Sequence, residues 1–278
     1  MRYIIKRYRI LIDNFTINDD GLIDVKGNVK ICDGKLQKLP LRFRNVSGNF
    51  HCNSNCLKTL IGSPQWVGGS FNCSDNDLYT LKHGPVIVRG TYRCSENNLI
   101  TLKGCAIEVG RDLLCNNNNL VNLVGSPDKI HGYFNCKLNK LRSLEGSPKE
   151  MFGRFHVSYN RLNDFSGAPQ NMRCEIYATS NFLNNLKGLP IDYEGQLFID
   201  ASTKSLNTGE IDYNKMKVQL RIINKFGHNF IPKQILDNYA HINLIMKYQR
   251  YYDIWTIDDA LDEPNFDMFI EDIEDGLL

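Results

Sequence analysis

The sequence predicts a repeat solenoid: a parallel β-sheet arc with a mostly non-helical outer side and a small helical segment near the C-terminal end. Three observations predict it. Asparagine recurs every 21 residues at Asn55, Asn76, Asn97, Asn118, Asn139, Asn160 and Asn181, and Ser202 holds the next place. Leucine follows each asparagine by two positions, from Leu57 to Leu183. A third column runs Cys52, Cys73, Cys94, Cys115 and Cys136, then gives way to Val157 and Ala178. A period this regular marks one supersecondary unit stacked on copies of itself.

The opening stretch, residues 1–26, is expected to cap the stack. Its start, MRYIIKRYRILIDNF, is basic and then apolar, with an apolar run too short and broken for a secretory signal. No run of about 18 apolar residues exists, so no membrane-spanning helix is expected.

Residues 27–206 read as about eight coils of 21 residues. The best-formed units are GSFNCSDNDLYTLKHGPVIVR (69–89), GYFNCKLNKLRSLEGSPKEMF (132–152) and GRFHVSYNRLNDFSGAPQNMR (153–173). Phe71, Phe134 and Phe155 alternate with the cysteine-site residue, which predicts a short strand with one face buried. Asparagine then suits a bend, because its short amide bonds to nearby backbone groups. Two apolar residues follow, such as Leu78 and Leu81 or Leu141 and Leu144, and close the core. Gly-x-Pro at 62–64, 125–127, 146–148, 167–169 and 188–190 favours a tight, non-helical return. A position that accepts Cys, Val, Ala and Ile31 is a small apolar core site, so five of the nine cysteines are assigned to the core. Coils spaced about 4.8 Å apart sit closer than the usual disulfide Cα separation of about 5.5 Å, and a reduced ladder in a cytoplasmic compartment is expected.

The segment FNCSDNDLYTLKHGP resembles the leucine-rich-repeat signature. The proline before the strand (Pro64, Pro127, Pro148, Pro169) and the short unit are similar to the bacterial type found in type III-secreted effectors. LEGSPKEMFGRFHVSYNRL looks most like leucine-rich-repeat proteins of large tailed bacteriophages and some bacteria. The resemblance covers about residues 15–206 and implies a curved solenoid used for protein binding; a phage origin would place it in a host cytoplasm. The pattern breaks at Gly34, Phe43, Ala106 (beside Cys105) and Cys174. Some secreted relatives carry a ubiquitin ligase with a catalytic cysteine, but the last cysteine here, Cys174, lies within the repeats, so that activity is not carried over.

If the Phe and Cys sites point inward, two columns form the exposed ladder. One reads His51, Asn72, Arg93, Leu114, Asn135, His156, Tyr177 and Phe198; the other reads Asn49, Ser70, Thr91, Asp112, Tyr133, Arg154, Glu175 and Gln196. These vary while the core columns are nearly uniform. Aromatics and arginine anchor protein interfaces, so Arg93, Tyr133, Arg154, His156, Tyr159, Tyr177 and Phe198 are the candidate binding residues.

Residues 207–252 read as a helical cap or module. A helix is expected over 210–227, with Met216, Leu220 and Ile223 on one stripe and Gly227 as its stop. A second is expected after Pro232. Residues 253–278 hold ten acidic residues and no Lys or Arg, which leaves 33 basic against 21 acidic residues elsewhere. Trp255, Phe266 and Phe269 among those acids predict a tail that docks, either on the chain's own basic surface (Lys6, Arg7, Arg9, Arg42, Arg44) or on a partner.

Nothing in the sequence reads as catalytic. His51 and His156 lie five coils apart, about 24 Å along the stack, too far to share a metal. His228 and His241 lack an evident acidic or cysteine partner. Cys52 and Cys56 form no complete ligand set, and phosphate-loop, dinucleotide and nucleophile-elbow motifs are absent. No metal or cofactor is expected. The reading is a non-enzymatic protein-interaction scaffold, an adaptor or inhibitor. A nucleic-acid-binding module masked by its acidic tail, and a structural or assembly component, stand as alternatives.

Overall fold

Each 21-residue unit closes one turn of a parallel-β solenoid, and the turns stack in register. The structure is a computed structural model, described here for residues 1–190, 193–200, 202–209, 217–223 and 230–278. Strand Phe71–Asn72 pairs in parallel with Phe50–His51 on one side and Tyr92–Arg93 on the other, and the same register continues through Leu113–Leu114, Phe134–Asn135, Arg154–His156, Glu175–Tyr177 and Glu194–Asp200. This main sheet places one side chain of each pair inward and the next outward, as the strand pleat requires. The inward column is an aromatic stack, with Phe50–Phe71, Phe71–Tyr92 and Phe134–Phe155 centroids 5.7, 5.0 and 5.3 Å apart.

A second parallel ladder lies one corner upstream in each coil, which the repeat pattern did not predict as strands. It runs through Phe43–Val46, Trp66–Val67, Ile87–Val88 and Glu108–Val109, then resumes as Lys129–Ile130, Glu150–Met151 and Asn171–Met172. Glycine turns the corner between the ladders because consecutive coils nearly touch there: a Cβ on Gly153 would lie 2.1 Å from the Gly132 carbonyl oxygen. Among the described residues, the remaining outer side is non-helical.

The asparagine column holds the coils together. Asn97 Oδ1 accepts the Leu78 N–H at 3.0 Å, while its Nδ2 donates to the Cys73 carbonyl of the preceding coil and the Cys94 and Ser95 carbonyls of its own. The pattern repeats at Asn76, Asn118, Asn139, Asn160 and Asn181. The residue before each asparagine is left-handed: Ser54, Asp75, Glu96, Asn117, Leu138, Tyr159 and Ser180 have φ between 55° and 57°. Cys52, Cys73, Cys94, Cys115 and Cys136 are fully buried, and all nine cysteines are free.

Both ends depart from the coil. At the start, helix α1 (Arg2–Arg7) leads into strand β1 (Leu11–Ile17), which pairs antiparallel with β2 (Ile23–Lys30); β2 in turn joins both ladders. At the far end the expectation of a helix over 210–227 is corrected. Lys217–Ile223 is a strand, paired in parallel with Glu194–Asp200, with Leu197 facing Leu220. VQLRII alternates apolar and polar residues as well as it matches a helical stripe, and the open edge of Glu194–Asp200 decides in favour of the strand. Met216, Gly227 and His228 lie outside the described residues. Beyond it, α2 (Lys233–Asp237), a 3₁₀ turn (Tyr239–His241), α3 (Ile242–Tyr248) and α4 (Glu263–Glu274) close the stack, burying Ile235, Ile242, Ile245, Phe266 and Phe269. Tyr239 Oη accepts the Ile222 N–H at 3.3 Å, joining this block to the last strand.

Candidate functional site

The outward face of the main sheet divides into two halves with different jobs. In the first half, the column at the corner caps backbone. Asn28 Oδ1 accepts the Asn49 N–H, Asn49 Oδ1 the Ser70 N–H, Ser70 Oγ the Thr91 N–H and Asp112 Oδ1 the Tyr133 N–H, at 2.7–3.1 Å. Only short polar side chains do this, which explains their smallness there. From Tyr133 onward the column reads Tyr133, Arg154, Glu175 and Gln196, and these side chains bond to one another or to the next side chain outward.

Four rings form a continuous strip over successive coils in that second half. Tyr133 Oη and His156 Nδ1 are 2.7 Å apart, and which of them donates depends on the imidazole tautomer. His156 and Tyr177 centroids are 5.4 Å apart, and Tyr177 stacks on Phe198 at 4.4 Å and 5°. Arg154 lies beside the strip, its guanidinium carbon 5.4 Å from the Tyr177 centroid and its Nε 3.0 Å from Glu175 Oε2. The Tyr177 hydroxyl donates to the same carboxylate at 3.2 Å. Burial, then the positive charges of Lys137 and Arg154, push the His156 pKa down to about 4. The ring is therefore neutral near pH 7 and stacks as an aromatic. Burial raises the Tyr133 and Tyr177 hydroxyls, so both stay protonated.

The corner beside the strip is an open groove of about 670 Å³. Tyr133, Arg154 and Glu175 form one wall and Phe152, Arg173 and Glu194 the other, over a floor of Gly132, Gly153, Cys174 and Gly195. Arg173 and Glu194 approach to 4.0 Å, and Phe152 stacks on His131 at 5.4 Å. The Cys174 thiol, which stands where most coils carry glycine, is buried and pushed up to about 12, chiefly by desolvation. It is a packed thiol, not a nucleophile.

The structure thus brings together Tyr133, Arg154, His156, Tyr177 and Phe198. It does not add Arg93, which lies exposed three coils from His156, nor Tyr159, which sits 52% exposed in the asparagine bend. Phe152, Arg173 and Glu194 escaped the sequence reading because their column lies at the corner between the two ladders, outside the two columns that were read. Their column (Ser47, Gly68, Arg89, Gly110, His131, Phe152, Arg173, Glu194) is as variable as the two that were read, and that variability was the available signal.

The tail residues are corrected. Phe266 and Phe269 are buried, with Phe269 4.8 Å from the Tyr252 ring, and the Trp255 indole donates to Gln249 Oε1 at 2.7 Å. The tail docks on its own C-terminal block, at the end of the stack opposite α1. That block is clasped to the outer turns by Asp259, which accepts from Asn185 Nδ2 (2.8 Å) and Asn207 Nδ2 (2.6 Å) and pairs with Lys187 Nζ (3.1 Å). Desolvation opposes its ionisation, but these donors outweigh it and hold the carboxyl below its ordinary value. Among the described residues no group of three or more His, Cys, Asp or Glu could hold a metal ion, and no helix is long and apolar enough to cross a membrane.

The stacked coils, leucine columns and parallel main sheet define a leucine-rich-repeat solenoid. No family model and no curated protein matches the sequence. Among solved structures the chain is similar to YopM from Yersinia enterocolitica WA-314, at 16% identity over 72% of this chain and with a TM-score of 0.41. The match spans 56% of that protein's length, and at this distance it carries no functional argument.

Proposed function

We propose that this chain is a non-enzymatic protein-interaction scaffold whose partner rests on the outward face of the main sheet, over the strip from Tyr133 to Phe198. One observation carries the reading. The corner column stops capping backbone at Tyr133, and there the face fills with four contiguous rings and an Arg–Glu pair. Aromatics beside arginine are the usual anchors of a protein interface, and these half-buried rings, already stacked, lose little side-chain entropy on binding. A role as adaptor or inhibitor follows from a surface that binds without chemistry, and buried, desolvated thiols suit a reducing cytoplasm. The resemblance to tailed-phage repeat proteins supports a host protein as the partner.

Affinity capture from a bacterial lysate tests this. Wild-type chain should retain a specific protein that the Tyr133→Ser/Arg154→Ser/Tyr177→Ser variant loses. The variant His51→Ser/Asn72→Ser/Arg93→Ser, altered on the other half of the same face, should retain it. Equal capture by both variants would count against this site.

A further inference from the structure

We propose that the protein associates head to tail with a second copy of itself, the basic face of α1 in one copy resting on the acidic face of α4 in the next. The two faces are complementary and lie at opposite ends of one stack. On α1 and just after it, Arg2, Lys6, Arg7 and Arg9 are exposed, with Arg7 5.9 and 5.5 Å from the Tyr3 and Tyr8 ring centroids. Residues 1–12 contain these four cations and no acid.

On α4, Glu263, Asp267, Glu271 and Glu274 recur at helical spacing along the exposed side, while Phe266 and Phe269 fill the buried side. Within one molecule this arrangement is unfavourable. Like charges four residues apart repel. The last turn carries acid and no base, against the negative end of the helix dipole. Among the described residues, no Lys or Arg pairs with Asp267, Glu271, Glu274 or Asp275. A face assembled at the expense of its own helix is explained by cations that arrive from outside.

The cations of α1 cannot reach this face within the same molecule. Nine parallel ladder steps separate β2 from Lys217–Ile223, or about 43 Å at about 4.8 Å per step. A second copy supplies the complement without a further partner. The contact joins two different patches, so each association leaves one basic and one acidic end free and an open chain of copies can grow.

Sedimentation velocity of the full chain tests this, with charge reversal at each end. At about 100 µM and about 0.02 M salt, the weight-average mass should rise to at least twice the monomer's 31.9 kDa, and it should return to the monomer at about 0.5 M salt. Lys6→Glu/Arg7→Glu/Arg9→Glu and Asp267→Lys/Glu271→Lys/Glu274→Lys should each be monomeric alone. Mixed, they should associate again, because the unaltered α1 of one meets the unaltered α4 of the other and the two reversed faces are complementary as well. That rescue separates a docking role from damage to the fold. A wild-type monomer at low salt would overturn the proposal and leave the acidic face to a foreign basic protein. Association indifferent to either reversal, or a mixture that stays monomeric, would overturn it equally.

Discussion

Removing one amide from the middle of the asparagine ladder should cost more than an ordinary surface hydrogen bond, and the type of replacement should matter. Asn118 Oδ1 accepts the Leu99 N–H at 3.0 Å, and its Nδ2 donates to the Cys94 and Cys115 carbonyls at 3.0 and 3.1 Å. In Asn118→Ala both carbonyls keep a second donor, from Asn97 and Asn139. The Leu99 N–H keeps none. An orphaned buried donor costs about 1–3 kcal/mol and each of the two other lost bonds about 1 kcal/mol, so the variant should lose about 3–5 kcal/mol.

Asn118→Asp retains the acceptor but turns an oxygen toward the two carbonyls at a site 8% exposed. Its carboxyl pKa should rise, because the ionised form is the disfavoured one in the fold. Between the unfolded value of about 3.9 and the raised folded value, the folded state binds more protons, so stability falls as pH rises. Asn118→Asp should therefore be the weaker variant at pH 7 and recover on acidification toward pH 5, while Asn118→Ala should not. Urea unfolding followed by circular dichroism at both pH values measures this. Asn118→Asp within about 0.5 kcal/mol of wild type at pH 7 would refute the ladder's role.

Three further outcomes follow from individual positions. Tyr92 stands in the column of buried phenylalanines with its hydroxyl buried and unpartnered, so Tyr92→Phe should raise stability by about 1 kcal/mol in the same urea assay. Leu138 holds φ 56° where the equivalent Asn117 does so with less strain; Leu138→Asn should gain about 0.5–1 kcal/mol, seen as a higher thermal midpoint. His156 has its folded pKa lowered to about 4, so its stabilising contribution is complete above the unfolded value of about 6.5 and is lost as pH falls toward about 4. Allowing for its partial exposure, the loss should be about 1–2 kcal/mol, and His156→Phe should flatten the dependence.

The core was legible in the sequence because stacking imposes one kind of side chain per column, apolar or asparagine. Asn76 and its equivalents each bond to two coils, so only asparagine serves, and the 21-residue period announces it. Phe71 and Cys73 were placed inward by simple alternation. The second ladder was not legible, because each of its two-residue strands buries a single residue, such as Met151 in Glu150–Met151, and shows no alternation of the kind that Phe71 and Cys73 show. Lys217–Ile223 misled for a different reason: its alternation fits strand and helix alike, and a distant edge makes the choice. The strip's members could be named from their column, yet their contacts could not. That Tyr177 stacks on Phe198 and shares Glu175 with Arg154 depends on rotamers set by neighbouring coils.

The scaffold's function rests on whether a protein binds the Tyr133–Phe198 strip. Titration calorimetry of the captured partner against wild type and Tyr133→Ser/Arg154→Ser/Tyr177→Ser tests it most directly. Loss of three central anchors should weaken binding by about 100-fold or more, with the urea midpoint of the variant near that of wild type. An affinity within about twofold of wild type would contradict the claim and move the binding surface elsewhere on the solenoid.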